Sequence, residues 1–183
     1  MTDPIIAEAG LDIGDRAPLA GTLTGADGKR TSIAAFDDAR LLAIILVSNG
    51  CPTVRAYTER LNRIQRDYGP RGLRLVAVNS NNPYLSPPDA PAEVVKYAAE
   101  RGLEFPYLKD ENSGVARAVG AVCTPHVFLF DHDRRLRYRG RVDDARDPTR
   151  VTSRDLAAAI EDVLAGRSPA VEVTEPFGCA IVW

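Results

Sequence analysis

Leu41-Leu-Ala-Ile-Ile-Leu-Val47, followed by Ser48-Asn49-Gly50 and then Cys51-Pro52-Thr53-Val54, places a strand, a turn and a helix start in immediate succession. The unbroken apolar run has strand length and suits a central strand covered on both faces. Pro52 fits the first helical position, where its missing N–H would be unpaired in any case. Val54, Tyr57, Leu61, Ile64 and Tyr68 then recur at spacings of three and four, the apolar face of an amphipathic helix. Gly69-Pro70 ends that helix. Cys51 therefore falls at a strand-to-helix junction, at or beside the helix N-cap.

Outward from this unit, Leu73 to Val78 reads as a second strand, so strand, helix and strand form a βαβ unit with parallel pairing. Upstream, Gly14 to Pro18 reads as a loop, and Asp27-Gly28 between short β-prone segments signals a hairpin. Downstream, Asn79 to Ala90 is a polar, Pro-rich loop. Helices are expected over Pro91 to Arg101 and Gly114 to Val119, each followed by Gly. Cys123-Thr-Pro-His126 leads into an apolar strand, Val127 to Phe130. Leu136 to Val142 alternates apolar and basic residues apart from Gly140, which predicts an antiparallel strand with Arg137, Arg139 and Arg141 on a solvated face. Thr152-Ser-Arg-Asp155 resembles a capping box for a last helix through Leu156, Ile160, Val163 and Leu164. The tail from Ser168 to Trp183 is β-prone and strongly apolar at its end.

Composition narrows the function classes. In 183 residues, 23 basic and 25 acidic side chains nearly cancel, unlike the basic excess of a nucleic-acid binder. Apolar residues make up 45%, enough for a core. No apolar run approaches the ~20 residues of a membrane helix, and Met1 to Glu8 lacks a leader pattern, so the expected address is the cytoplasm. Three cysteines, few and odd in number, do not make a secreted disulfide scaffold and fit reduced thiols.

Several motifs in order extend the reading: Gly14-Asp-Arg-Ala-Pro18, Asn49-Gly-Cys-Pro-Thr-Val54, Asn79-Ser-Asn-Asn82, Phe105-Pro-Tyr-Leu108, Gly120-Ala-Val-Cys-Thr-Pro125, Tyr138-Arg-Gly-Arg-Val-Asp-Asp144 and Gly178-Cys-Ala-Ile-Val-Trp183. Together they resemble the peroxiredoxin-like branch of the redoxin (alkyl hydroperoxide reductase/thiol-specific antioxidant) superfamily, over nearly the whole chain. The resemblance implies a thioredoxin-like three-layer α/β/α fold with a central mixed sheet and an N-terminal β-hairpin extension. It would span 1–167, with 168–183 as an apolar tail docked on the same domain. Departures are informative. Val54 stands where thioredoxins carry the second Cys of C-x-x-C, and Ser48 where many relatives carry a Cys and peroxiredoxins a Thr or Ser. Thr124-Pro125 is the thioredoxin form of a site where peroxiredoxins place an Arg, and Ile45 replaces the buried Asp of thioredoxins.

The implied activity is antioxidant: a thiol-dependent oxidoreductase that reduces peroxides or disulfides through the single helix-N-terminal Cys51, with Ser48, Thr124 and Pro125 around it. A thiol ionises at ~8.5, and the thiolate is the nucleophile. Unpaired N–H groups at a helix start favour that anion. Ser48 is expected to bond the sulfur or a peroxide oxygen. Pro52 and Arg55 are expected to face substrate, Arg55 adding positive charge. Cys123, brought close by the resemblance, and Cys179, on the tail, compete to resolve an oxidised Cys51; each also reads as simple packing. Cys123-x-x-His126 lacks the second ligand pair of a zinc site, so neither metal nor cofactor is expected. The partners expected are a peroxide or disulfide and an external thiol reductant, with no nucleic acid, no membrane, and a homodimer allowed. The alternative is a non-catalytic thioredoxin-fold binding module presenting the Cys51 surface.

Overall fold

The computed structural model describes residues 10–183; the leader reading made on Met1 to Glu8 lies outside the described residues. The decisive stretch folds as β3 (Leu41–Leu46) running into α1 (Pro52–Tyr68), then β4 (Leu73–Asn79). β3 and β4 pair in parallel along their length, from Leu41 opposite Leu73 to Leu46 opposite Val78. The hairpin is β1 (Leu23–Gly25) and β2 (Arg30–Thr31). A further strand, β5 (Tyr107–Lys109), falls within and just beyond the Phe105–Leu108 motif. It bridges the hairpin to β4, so the hairpin extends the main sheet. After α2 (Pro91–Glu100) and α3 (Gly114–Val119) come β6 (Cys123–Thr124), β7 (His126–Phe130) and β8 (Leu136–Gly140). The chain finishes with α4 (Asp155–Leu164) and β9 (Cys179–Ala180). The central sheet has the order β2-β1-β5-β4-β3-β7-β8, and β6 with β9 forms a separate two-stranded sheet.

Alternation along β3 divides the interior. Leu41, Ala43 and Ile45 face a core shared with Val54 and Tyr57 of α1, Val94 of α2 and Ile160 of α4. Leu42, Ile44 and Leu46 face the other core, shared with Val115 and Val119 of α3. Successive strand residues point to opposite faces, so one fully apolar strand serves both layers. The expected three-layer α/β/α thioredoxin-like architecture with a mixed sheet is what the chain adopts.

Two local expectations are corrected. The arginines of β8 are half-buried and paired: Arg137 with Asp131 at 3.0 Å, Arg139 with the Leu11 carbonyl at 3.0 Å and Arg141 with Asp155 at 2.8 Å. These partners come from the turn before β8, the N-terminal segment and the start of α4, while the C-terminal segment takes the outer edge of β8; Arg139 N–H donates to the Glu172 carbonyl and Thr174 N–H to the Arg139 carbonyl, both at 3.0 Å. Gly140 breaks the alternation for the same reason, since a Cβ there would lie 2.1 Å from Thr174 Oγ1. The capping box does not form. The helix starts too late for it: Arg154, not Thr152, is the N-cap of α4 and makes no side-chain cap bond, while the Thr152 hydroxyl donates to Asp144. Among the described residues, no helix is long and apolar enough to cross a membrane.

Candidate active site

Cys51 is the N-cap of α1 and is 1% exposed. Its thiol donates to the Thr124 carbonyl at 3.2 Å. Thr124 precedes Pro125, and the bond between them is cis. Across the small sheet, Thr124 lies directly opposite Cys179, while Cys123 lies opposite Ala180. Neighbours along a strand point to opposite faces. The Cys179 side chain therefore shares the Thr124 face and packs against the core cluster that contains Cys51, whereas Cys123 turns its thiol toward the Pro125 carbonyl at 3.8 Å. All three cysteines are free thiols.

The two neighbouring sulfurs ionise unequally. Burial opposes the Cys51 thiolate, but the Cys179 thiol, the Val54 N–H, the Thr124 hydroxyl and the Cys179 N–H outweigh it and hold Cys51 below the ordinary thiol range. Cys179 is pushed up to about 11, by burial first and then by bonding and charge from Cys51. Cys123 also rises to about 11, by burial and then by the Cys51 charge. Thr124 Oγ1 is buried and makes no hydrogen bond. An unpaired buried hydroxyl is costly. It gains an acceptor once the sulfur beside it is an anion.

Two predicted roles are corrected. Ser48 donates to Asp89 Oδ2 at 2.8 Å and accepts from the Gly50 N–H at 3.2 Å, so its hydroxyl holds the turn and has no proton left for the sulfur. Arg55 donates to the Asn49 carbonyl at 2.8 Å, and its charge is absent from the groups that lower Cys51. A carboxylate draws the Ser48 hydroxyl and a loop carbonyl draws the guanidinium, both stronger acceptors than a thiol sulfur. Pro52 takes the first helical position beside Cys51 and is exposed.

Asp89, which the sequence leaves inside the Pro-rich loop, is 0% exposed and organises what lies behind Cys51. Its Oδ1 accepts from the Asn49 N–H and from Asn79 Nδ2, both at 2.7 Å. Its Oδ2 accepts from Ser48, from Asn81 at 2.8 Å and from Ser86 at 2.6 Å. Burial pushes its pKa up, yet these donors prevail and hold it below the usual carboxylate range. Lys109, also buried, donates to Asn79 Oδ1 at 3.1 Å and to the Asn81 carbonyl at 2.5 Å. Tyr107 links the same group to Asn49 Oδ1 at 2.6 Å. The Asn79-Ser-Asn-Asn82 motif and one acid in a turn were the available signals; that they meet beneath the Cys51 turn is a tertiary fact.

The Redoxin family model matches residues 12–160. A hypothetical protein from Sinorhizobium meliloti 1021 is 38% identical, with a TM-score of 0.88 and 96% of each chain covered. An uncharacterised conserved protein from Geobacillus kaustophilus is 36% identical, with a TM-score of 0.87, covering 94% of this chain and 92% of that one. A protein assigned as the thiol:disulfide interchange protein DsbE, from Chlorobium tepidum, is 25% identical with a TM-score of 0.60, covering 71% of this chain and 85% of that one. Among curated proteins no relative matches.

Proposed function

The chain belongs to the redoxin family, and on that premise we propose that it is a thiol oxidoreductase in which Cys51 attacks a peroxide or a disulfide and Cys179 completes the exchange. The observation that carries this reading is that Cys179 lies directly opposite Thr124, whose carbonyl receives the Cys51 thiol at the start of α1.

With a peroxide, the Cys51 thiolate bonds one oxygen, the O–O bond breaks, and the departing alkoxide or hydroxide takes a proton. Cys51 becomes a sulfenic acid. That neutral product removes the thiolate charge that helped to raise Cys179. Cys179 loses its proton, attacks the Cys51 sulfur and expels the oxygen as water, leaving a Cys51–Cys179 disulfide. An external dithiol then supplies two electrons and two protons and becomes a disulfide itself. With a disulfide substrate, Cys51 forms the mixed disulfide, one substrate thiol departs, and Cys179 releases the other. In both cases the Thr124 hydroxyl faces the thiolate, and Ser48, Asn49 and Asp89 keep the turn in place. Thr124 and Cys179 stand where Val54 leaves C-x-x-C incomplete.

The test follows consumption of hydrogen peroxide, and separately of a small aromatic disulfide, with dithiothreitol as reductant. The parent protein turns over at least one of them and Cys51→Ser neither. Equal, uncatalysed rates for both proteins overturn the proposal and favour the non-catalytic binding module.

A further inference from the structure

The C-terminal segment is held by more than the short β6–β9 pair. Val182 N–H donates to Asn81 Oδ1 at 2.9 Å, and Asn82 N–H donates to the Val182 carbonyl at 2.7 Å. Asn81 is 3% exposed, and every polar group on it is engaged. Its backbone N–H donates to Asn79 Oδ1 at 3.2 Å and its carbonyl accepts from Lys109. Its side-chain amide donates to Asp89. A carboxylate can only accept and a backbone N–H can only donate, so these two partners fix which end of the amide faces which. A flipped amide would set oxygen against oxygen and donor against donor. Asp89 thereby aims an acceptor at the tail three residues beyond Cys179, and Asp89 also holds the Asn49 N–H of the turn before Cys51.

From this we infer that Asn81, oriented by Asp89, is a positioning residue that keeps Cys179 against Cys51, so that disulfide closure depends on it and attack on the first substrate does not. The inference rests on the proposed pairing of Cys51 with Cys179. Gly178 supports the same picture: its φ is +154°, and a Cβ there would lie 2.0 Å from the Thr124 carbonyl oxygen, so the segment enters its berth at the closest approach a backbone allows.

The experiment uses the full-length protein and three variants. Asn81→Ala removes the acceptor, Val182→Pro removes the donor, and Val182→Ala keeps it. Each reduced protein is treated with iodoacetamide, and labelling of Cys51 is timed by mass spectrometry. Loss of this buried bond exposes Cys51 and speeds its labelling about tenfold in Asn81→Ala and Val182→Pro, with Val182→Ala at the parent rate. One equivalent of hydrogen peroxide, with sulfenic acid trapped by dimedone, then separates the two steps. Cys51 oxidises at least as fast as in the parent in all variants, while the Cys51–Cys179 disulfide forms about tenfold more slowly in the first two. Parent-like labelling and parent-like closure in Val182→Pro overturn the inference, whatever Asn81→Ala does. A parent protein inert to peroxide and to disulfides overturns the functional reading instead, and the labelling rates still decide whether Asn81 holds the tail.

Discussion

Cys123 and Cys179 sit on the two strands of one short sheet, yet they stand in different relations to Cys51. Cys179 is directly opposite Thr124, whose carbonyl receives the Cys51 thiol, and packs against the core cluster that contains Cys51. Cys123 is one position along and turns to the Pro125 carbonyl. A single residue of register thus separates the thiol proposed to resolve Cys51 from one that faces away. On that proposal, strand face matters more than proximity in the fold.

The largest effect expected from this contrast is chemical. Cys179→Ala loses the intramolecular disulfide and accumulates Cys51 sulfenic acid, whereas Cys123→Ala forms the disulfide at the parent rate; non-reducing mass analysis after one equivalent of peroxide reads both. Next comes the acid that underlies the Cys179 side. Asp89→Asn sets an amide N–H₂ among buried donors and costs on the order of 3 kcal/mol of stability by urea unfolding. Because the folded Asp89 holds its proton less tightly than the unfolded one, its contribution is present above the ordinary carboxylate range and is lost as pH falls through the folded value. The Asn variant lacks that acid-side loss.

Gly178→Ala is expected to lift Cys179 from Thr124 and raise Cys51 alkylation about tenfold, the scale of one lost buried contact; a parent-like rate would place the tail's hold elsewhere. The smallest effect is on titration. The rate of Cys51 alkylation against pH has its midpoint below the ordinary thiol range, and Cys179→Ala, which removes a group that favours the thiolate, moves that midpoint upward. Cys123→Ala does not lower it by more than its weak charge coupling to Cys51 allows.

Much of this arrangement was legible in the chain. The apolar run of β3, the Pro at the start of α1 and the heptad-like spacing to Tyr68 placed Cys51 at a helix N-cap because each signal is local. The short strands were not legible. β5 and β6 span three and two residues, and their pairing depends on partners far along the sequence. For the same reason the sequence directs Ser48 to the sulfur or a peroxide oxygen and Arg55 to substrate, while the carboxylate and carbonyl that capture them come from Asp89 and Asn49. Choosing between Cys123 and Cys179 required the register of β6 against β9, which nothing in Gly178-Cys-Ala-Ile encodes alone.

The central claim is tested most directly by oxidising the full-length protein with one equivalent of hydrogen peroxide and mapping its disulfides after proteolysis without reduction. The account predicts one dominant linkage, Cys51 to Cys179, with Cys123 recovered as a free thiol. A dominant Cys51–Cys123 linkage, or Cys51 recovered unoxidised, would contradict it.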